Sequence, residues 1–141
     1  MPRKTRKKQS SRAPHPASLL LYGIELDSPQ DRTLTMLADS LSLRLVRTNG
    51  EDLGKPVMDL IGFGTASVCT KPYDGPAFHV PFLLMAGLNE VQQNRVLSAL
   101  RSNQTPIDLK AVLTETNRKW SLGALIREVA QEHLALHHKT T

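Results

Sequence analysis

Two uninterrupted apolar runs constrain the fold of this chain more than any other feature. Residues 19–24 read LLLYGI and residues 80–88 read VPFLLMAGL. Both are of strand length and neither alternates with polar residues, so each predicts a strand covered on both faces. Each run reaches a glycine, Gly23 or Gly87, and a helix start follows. Such a pattern excludes a one-sided antiparallel sheet and requires helices above and below the strands.

The segments after each run supply those helices. In DSPQDRTLTMLADSLS, Ser28 suits the cap and Pro29 the first helical position, while Asp31 complements the helix dipole. Leu34, Leu37, Ala38 and Leu41 recur at helical spacing and make one apolar face. In the second half, Asn89 and Gln92 stand in capping-box positions, and Val96, Leu97 and Leu100 form the buried stripe. LRLVR (43–47) reads as a short strand, and VMDLIG (57–62) as a brief helix that starts at Pro56 and stops at Gly62. IDLKAVLT (107–114) alternates, with Ile107, Leu109, Ala111 and Leu113 on one side, as an edge strand does. SLGALIREVAQEHLALHH closes as a helix with Leu122, Leu125, Ile126, Val129 and Leu136 inward. Ser121 is the expected cap of that helix, and Trp120 with Leu125 a hydrophobic staple.

The expected fold class is therefore α/β. Two tandem strand-helix-strand-helix halves, an internal repeat of pattern, build one mainly parallel four-stranded sheet flanked by helices. The division expected is a disordered basic tail (1–17), a first half (18–62), a Gly/Pro-rich linker (63–79) and a second half (80–138). The fully apolar strands belong in the centre, giving the order second, first, third, fourth. The alternative is two half-domains joined edge to edge. In a doubly wound sheet, ligands bind beyond the strand carboxyl ends where the order reverses. That rule places a cleft between Gly23 and Gly87, with Asn89 beside it.

Charge is unevenly distributed. Arg3, Lys4, Arg6, Lys7, Lys8 and Arg12 hold six of the 18 basic residues, leaving 12 basic against 13 acidic, a net of −1. The tail lacks apolar periodicity and reads as disordered. Solvation explains such a run, and contact with nucleic acid or ribosomes through counterion release is the functional alternative. Aromatic residues make up only 4% of the chain, which argues against base stacking on single strands. No apolar run approaches the length of a membrane helix, and no h-region follows the basic start, so a cytoplasmic location is expected. The single cysteine, Cys69, excludes an internal disulfide and reads as a filler residue.

Two stretches share a theme: an apolar run, Thr-Asn, a polar turn, then Leu-Gly, in LRLVRTNGEDLG (43–54) and LKAVLTETNRKWSLG (109–123). The structural reading is a pair of ordinary turns, since Thr and Asn side chains bond nearby backbone. The functional reading makes Thr114, Thr116 and Asn117 ligand-facing groups, with Arg118 and Lys119 attracting an anion. The first copy has Gly50, Glu51 and Asp52 in place of the basic pair, which favours turns. His133 and His137 are four apart on the last helix, with Glu132, His138 or distant His79 as conceivable third metal ligands. The helix dipole explains C-terminal histidines equally well, and no metal or cofactor is expected. No Walker loop, Rossmann fingerprint, paired-cysteine motif or nucleophile elbow is present.

The stretch 82–133, with its Gly-ended apolar strand, LKAVLT strand, T-N-x-x-W turn and closing Glu-His helix, resembles a small bacterial family catalogued only as a domain of unknown function. LKAVLTETNRKW is its most specific part. The resemblance implies a fold and carries no activity to transfer. The leading expectation is a non-enzymatic regulatory module that binds an unknown protein or small-molecule partner. Next comes a nucleic-acid- or ribosome-associated accessory protein, and then a small enzyme with its site at the strand carboxyl ends. No membrane partner is expected, and oligomeric state has no signature in the sequence.

Overall fold

A computed structural model describes residues 15–140, with side chains through Leu136. Its strands are β1 (Ser18–Tyr22), β2 (Arg44–Thr48), β3 (Phe82–Ala86) and β4 (Leu109–Val112). Its helices are α1 (Pro29–Leu41), α2 (Val57–Leu60), α3 (Glu90–Ser102) and α4 (Leu122–Thr140). The strands form one sheet in the order β2-β1-β3-β4.

The sheet is mixed. Strand β1 runs parallel to β2, with Leu20 opposite Val46, and β3 runs parallel to β4, with Leu84 opposite Ala111. The central pair is antiparallel: Ser18 lies opposite Ala86, and Tyr22 opposite Phe82. The crossover rule governs each half and correctly predicts its parallel pair. It says nothing about how one half meets the other. That is decided by residues 50–81, which traverse the sheet twice. The chain first returns through α2 toward the start of β2, where the Arg44 guanidinium donates to the Ile61 carbonyl. It then doubles back in extended form. Thr70 N–H donates to Lys119 C=O at 3.0 Å, Ser121 N–H to Lys71 C=O at 2.9 Å, and Phe78 N–H to the Tyr22 hydroxyl at 3.1 Å. Strand β3 thus begins where β1 ends.

Both central strands are buried along their whole length. Alternation sends Leu19, Leu21, Leu83 and Met85 toward α1 and α3, where they meet Leu34, Leu37, Ala38, Val96 and Leu100. Leu20, Tyr22, Phe82, Leu84 and Ala86 face the other way, onto Val57, Ile61, Leu122, Leu125 and Ile126 of α2 and α4. Each such leucine contributes about 1.5–3 kcal/mol by leaving water, which makes this double layer the main source of stability. Leu136 departs from its expected inward place and is 63% exposed. Helical periodicity continues there after the sheet beneath has ended.

The helix ends follow the expected chemistry. Ser28 Oγ accepts from Asp31 N–H at 3.2 Å, Asn89 and Gln92 form the reciprocal capping box, and Ser121 Oγ accepts from Ala124 N–H. Asp31 is 4% exposed and accepts from the Asp27 N–H at 2.9 Å and from the Arg47 guanidinium. Burial works against its ionisation. The hydrogen bonds from Arg47 and Asp27 and the charges of Arg47 and Arg32 outweigh burial, holding the carboxyl below its ordinary 3.8. A depressed carboxyl contributes stability that is present above the unfolded value and lost as pH falls through the folded one. Unfolding midpoints in urea should therefore fall below about pH 4, and Asp31→Asn should flatten that dependence. An equal acid slope in both proteins would remove Asp31 from the account.

Candidate ligand site

The antiparallel central pair separates the residues expected to share one cleft. Gly23 follows β1 and sits against Val80, whereas Gly87 follows β3 and sits against Ala17 and Phe63. They lie at opposite ends of the sheet, so no cleft joins them. Asn89, Thr114, Thr116, Asn117, Arg118 and Lys119 all belong to the Gly87 end. The ring of Phe63 packs there, stacked at 4.5 Å on His15.

Much of the polar chemistry at that end is internal. Thr114 N–H donates to Asn117 Oδ1 at 2.9 Å, Asn117 N–H donates to Thr114 Oγ1 at 3.0 Å, and Asn117 Nδ2 donates to Val112 C=O at 3.2 Å. Asn117 thereby closes the turn and caps the last residue of β4. Arg118 donates to Glu115 and to the Phe63 carbonyl, and its Nε is buried with no partner among the described residues. Lys119 and Thr116 are exposed. In the first Thr-Asn copy, Thr48 Oγ1 donates to Leu21 C=O at 2.8 Å, and Asn49 caps the turn Gly50–Asp52. Both copies are built as chain reversals. Asn117→Ala removes the partner of the Thr114 N–H and of the strand-end Val112 carbonyl, and should cost about 1–2 kcal/mol. Thr116→Ala, on an exposed side chain, should cost under about 0.5 kcal/mol. Parallel thermal melts of the two variants check the pair.

A partly enclosed space lies at the other end. A cavity of about 410 Å³ opens between residues 78–81, the approach to β4 (Pro106, Asp108, Leu109) and the outer turns of α4 (Ala130, His133, Leu134). Pro81 and Pro106 stiffen the two chain segments that feed the parallel pair β3 and β4. Its third wall is pinned through Phe78: the Tyr22 hydroxyl donates to Phe78 C=O at 2.9 Å and accepts from its N–H. Phe78 also stacks on Tyr73 at 5.3 Å, and Tyr73 lies under the Arg127 guanidinium. The lining is mainly aliphatic, with His79, Asp108 and His133 as its polar groups. Phe78 and His79 also border a shallow crevice of about 430 Å³ at the carboxyl ends of β1 and β2, formed with Gly23, Glu25, Thr48 and Asn49. Gly23 therefore does stand at a strand-end crevice, one made by the parallel pair of its own half.

Among the described residues no group of three His, Cys, Asp or Glu is arranged to hold a metal. The His137 side chain lies outside them, as do Arg3, Lys4, Arg6, Lys7, Lys8 and Arg12. Cys69 is partly buried, with Sγ 3.5 Å from the Lys71 carbonyl. Among the described residues no helix is long and apolar enough to cross a membrane.

Sequence reasoning missed Phe78, Asp108, Ala130 and Leu134, and treated His79 only as a remote ligand for His133. The available signal was the parallel pairing of β3 and β4. It forces residues 78–81 and 106–109 to one end of the sheet, beneath the far turns of α4.

These features define a small α/β protein with a four-stranded mixed sheet, two helices on each face, and an apolar cavity at one end. Residues 81–136 match a Domain of unknown function (DUF3783), which spans β3, α3, β4 and most of α4. No curated protein and no solved structure matches the chain. Seven of the ten cavity-lining residues fall inside the matched region, and Phe78, His79 and Val80 immediately precede it.

Proposed function

We propose that this protein is a non-enzymatic binding module that takes a small amphipathic ligand in the cavity between residues 78–81 and α4. The observation that carries this reading is the composition of that cavity. A mainly aliphatic lining holds an apolar body, and polar groups of the lining, His79 and Asp108, orient a hydrogen-bonding head. Its volume, about 410 Å³, is in the range of sites for small molecules. A cytoplasmic regulatory protein of bacterial type, built from two repeated halves, is the setting that fits this reading.

The test is a ligand-detected NMR screen of medium-chain and aromatic acids, amines and amides against the full chain and Ala130→Trp. Ala130 is half-buried at the cavity wall, so an indole there fills the space from the rim. Binders should shift amide signals of residues 78–80 and 130–134, and lose at least tenfold in affinity for Ala130→Trp. Hits that map elsewhere, or bind both proteins equally, would sink the reading.

A second reading rests on the six basic residues before residue 13, carried by a chain whose remainder is near neutral. It makes the protein an accessory factor on RNA or ribosomes, tethered by counterion release. RNA binding by the full chain should fall steeply with salt. It should vanish when Arg3, Lys4, Arg6, Lys7, Lys8 and Arg12 are all changed to glutamine. Equal binding by both proteins, or by neither, removes that reading.

A further inference from the structure

The two sheet edges are finished differently. At β4, the last outward carbonyl, that of Val112, is capped by the Asn117 side chain. At β2, the Arg44 N–H turns inward to the Ala17 carbonyl at 2.9 Å. Alternation along a parallel strand therefore turns the N–H and C=O groups of Leu45 and Arg47 outward. Nothing among the described residues pairs with them. Charged side chains commonly shield such an edge. Here both arginines are folded onto the faces instead, Arg44 onto the Ile61 carbonyl and Ser18, and Arg47 onto Asp31.

Alongside this bare edge runs an open groove of about 870 Å³ between β2 and α1. Leu43, Leu45 and Ala38 form its apolar side, and Met36 stands over it 60% exposed. Asp27 and Asp39 flank it with exposed carboxylates that have no cationic partner among the described residues. The one exposed cation of the lining, Arg32, donates to the Asp27 backbone carbonyl at 2.8 Å.

We propose that this edge accepts an extended segment of a partner protein as a fifth strand, with apolar side chains at alternate positions and a basic residue at each end of that same face. Main-chain hydrogen bonds to Leu45 and Arg47 supply the pairing. On the face toward α1, apolar side chains at every second position enter the groove, and a lysine or arginine at each end of that same row answers Asp27 or Asp39. A strand edge unpaired among the described residues requires an extended backbone, the groove requires apolar side chains at every second position, and the exposed carboxylates set the charge.

The probe is an acetylated, amidated heptapeptide, lysine-threonine-valine-threonine-valine-threonine-lysine, whose lysines and valines share one face, titrated into the full chain by NMR and calorimetry. Its controls are an analogue with glutamate in place of lysine and a version N-methylated at alternate residues, which loses main-chain donors while the protein is unchanged. The expected result is shifts at Leu45, Arg47 and Met36, and at least tenfold weaker binding of the N-methylated peptide. Asp39→Lys, an exposed substitution, should weaken binding up to about fivefold. Equal binding of the N-methylated peptide, shifts elsewhere, or no binding would overturn the proposal. Two results would hand the groove to another occupant and equally overturn it. One is tighter peptide binding when the six basic residues before residue 13 are changed to glutamine, which would mean the chain's own segment competes. The other is a concentration-dependent dimer whose β2 signals shift without peptide.

Discussion

Gly23→Ala is expected to destabilise the protein by about 3 kcal/mol, although it adds a single methyl group to an exposed position. Gly23 has φ +71°, a conformation that costs an L-residue about 1–2 kcal/mol. A Cβ there would also lie 3.0 Å from the Val80 carbonyl carbon, with the carbonyl oxygen closer still. Both atoms are backbone at the approach to β3, so relief requires the chain to move rather than a side chain to rotate. The same shift would disturb Pro81 and the cavity wall it forms. Urea unfolding measures the loss, and a cost below about 1 kcal/mol would show that the approach to β3 gives way easily.

Phe82→Ala should cost more, about 3–5 kcal/mol. Phe82 has no exposed surface and lies between Tyr22 of β1 and Leu109 of β4, facing α4. Truncation leaves a void between central strands that are packed on both faces and cannot collapse into it. Leu134→Ala, on a side chain 64% exposed, should change stability by under about 0.5 kcal/mol. Thermal melts of the two variants test whether the buried double layer carries the fold. For a protein with a total of roughly 5–15 kcal/mol, the first change approaches unfolding. Similar melting temperatures for both would contradict the packing described above.

Some of the architecture was legible in residues 18–138 because local physics determines it. LLLY and FLLMA have no polar face, so they could only be interior strands, and the order β2-β1-β3-β4 follows from placing them centrally. Ser28, Asn89 and Gln92 announce helix starts through hydrogen bonds made within four residues. Asn117 was legible as a turn residue for the same reason. Leu136 was misplaced because periodicity reports which side of a helix a residue occupies, and not how much of that side the fold covers.

The direction of β3 relative to β1 had no local signal. It depends on residues 63–79 doubling back along the sheet, held by Phe78 on Tyr22 and by Lys71 on Ser121. Those contacts span some 50 residues of sequence. The expected Gly23–Gly87 cleft failed for this reason alone. The cavity was missed for a different reason: the parallel β3–β4 pair brings His79 and Asp108 to one end of the sheet, but how α4 covers that end has no local signal.

By itself, then, the order of residues determined which segments extend, which coil, where helices begin and which strands lie innermost, because each rests on contacts between near neighbours. Only the tertiary structure decided the sense of the central pairing, which side chains share a cavity and how each sheet edge is finished. Those outcomes depend on distant segments competing for the same surface, and no short window of sequence records that competition.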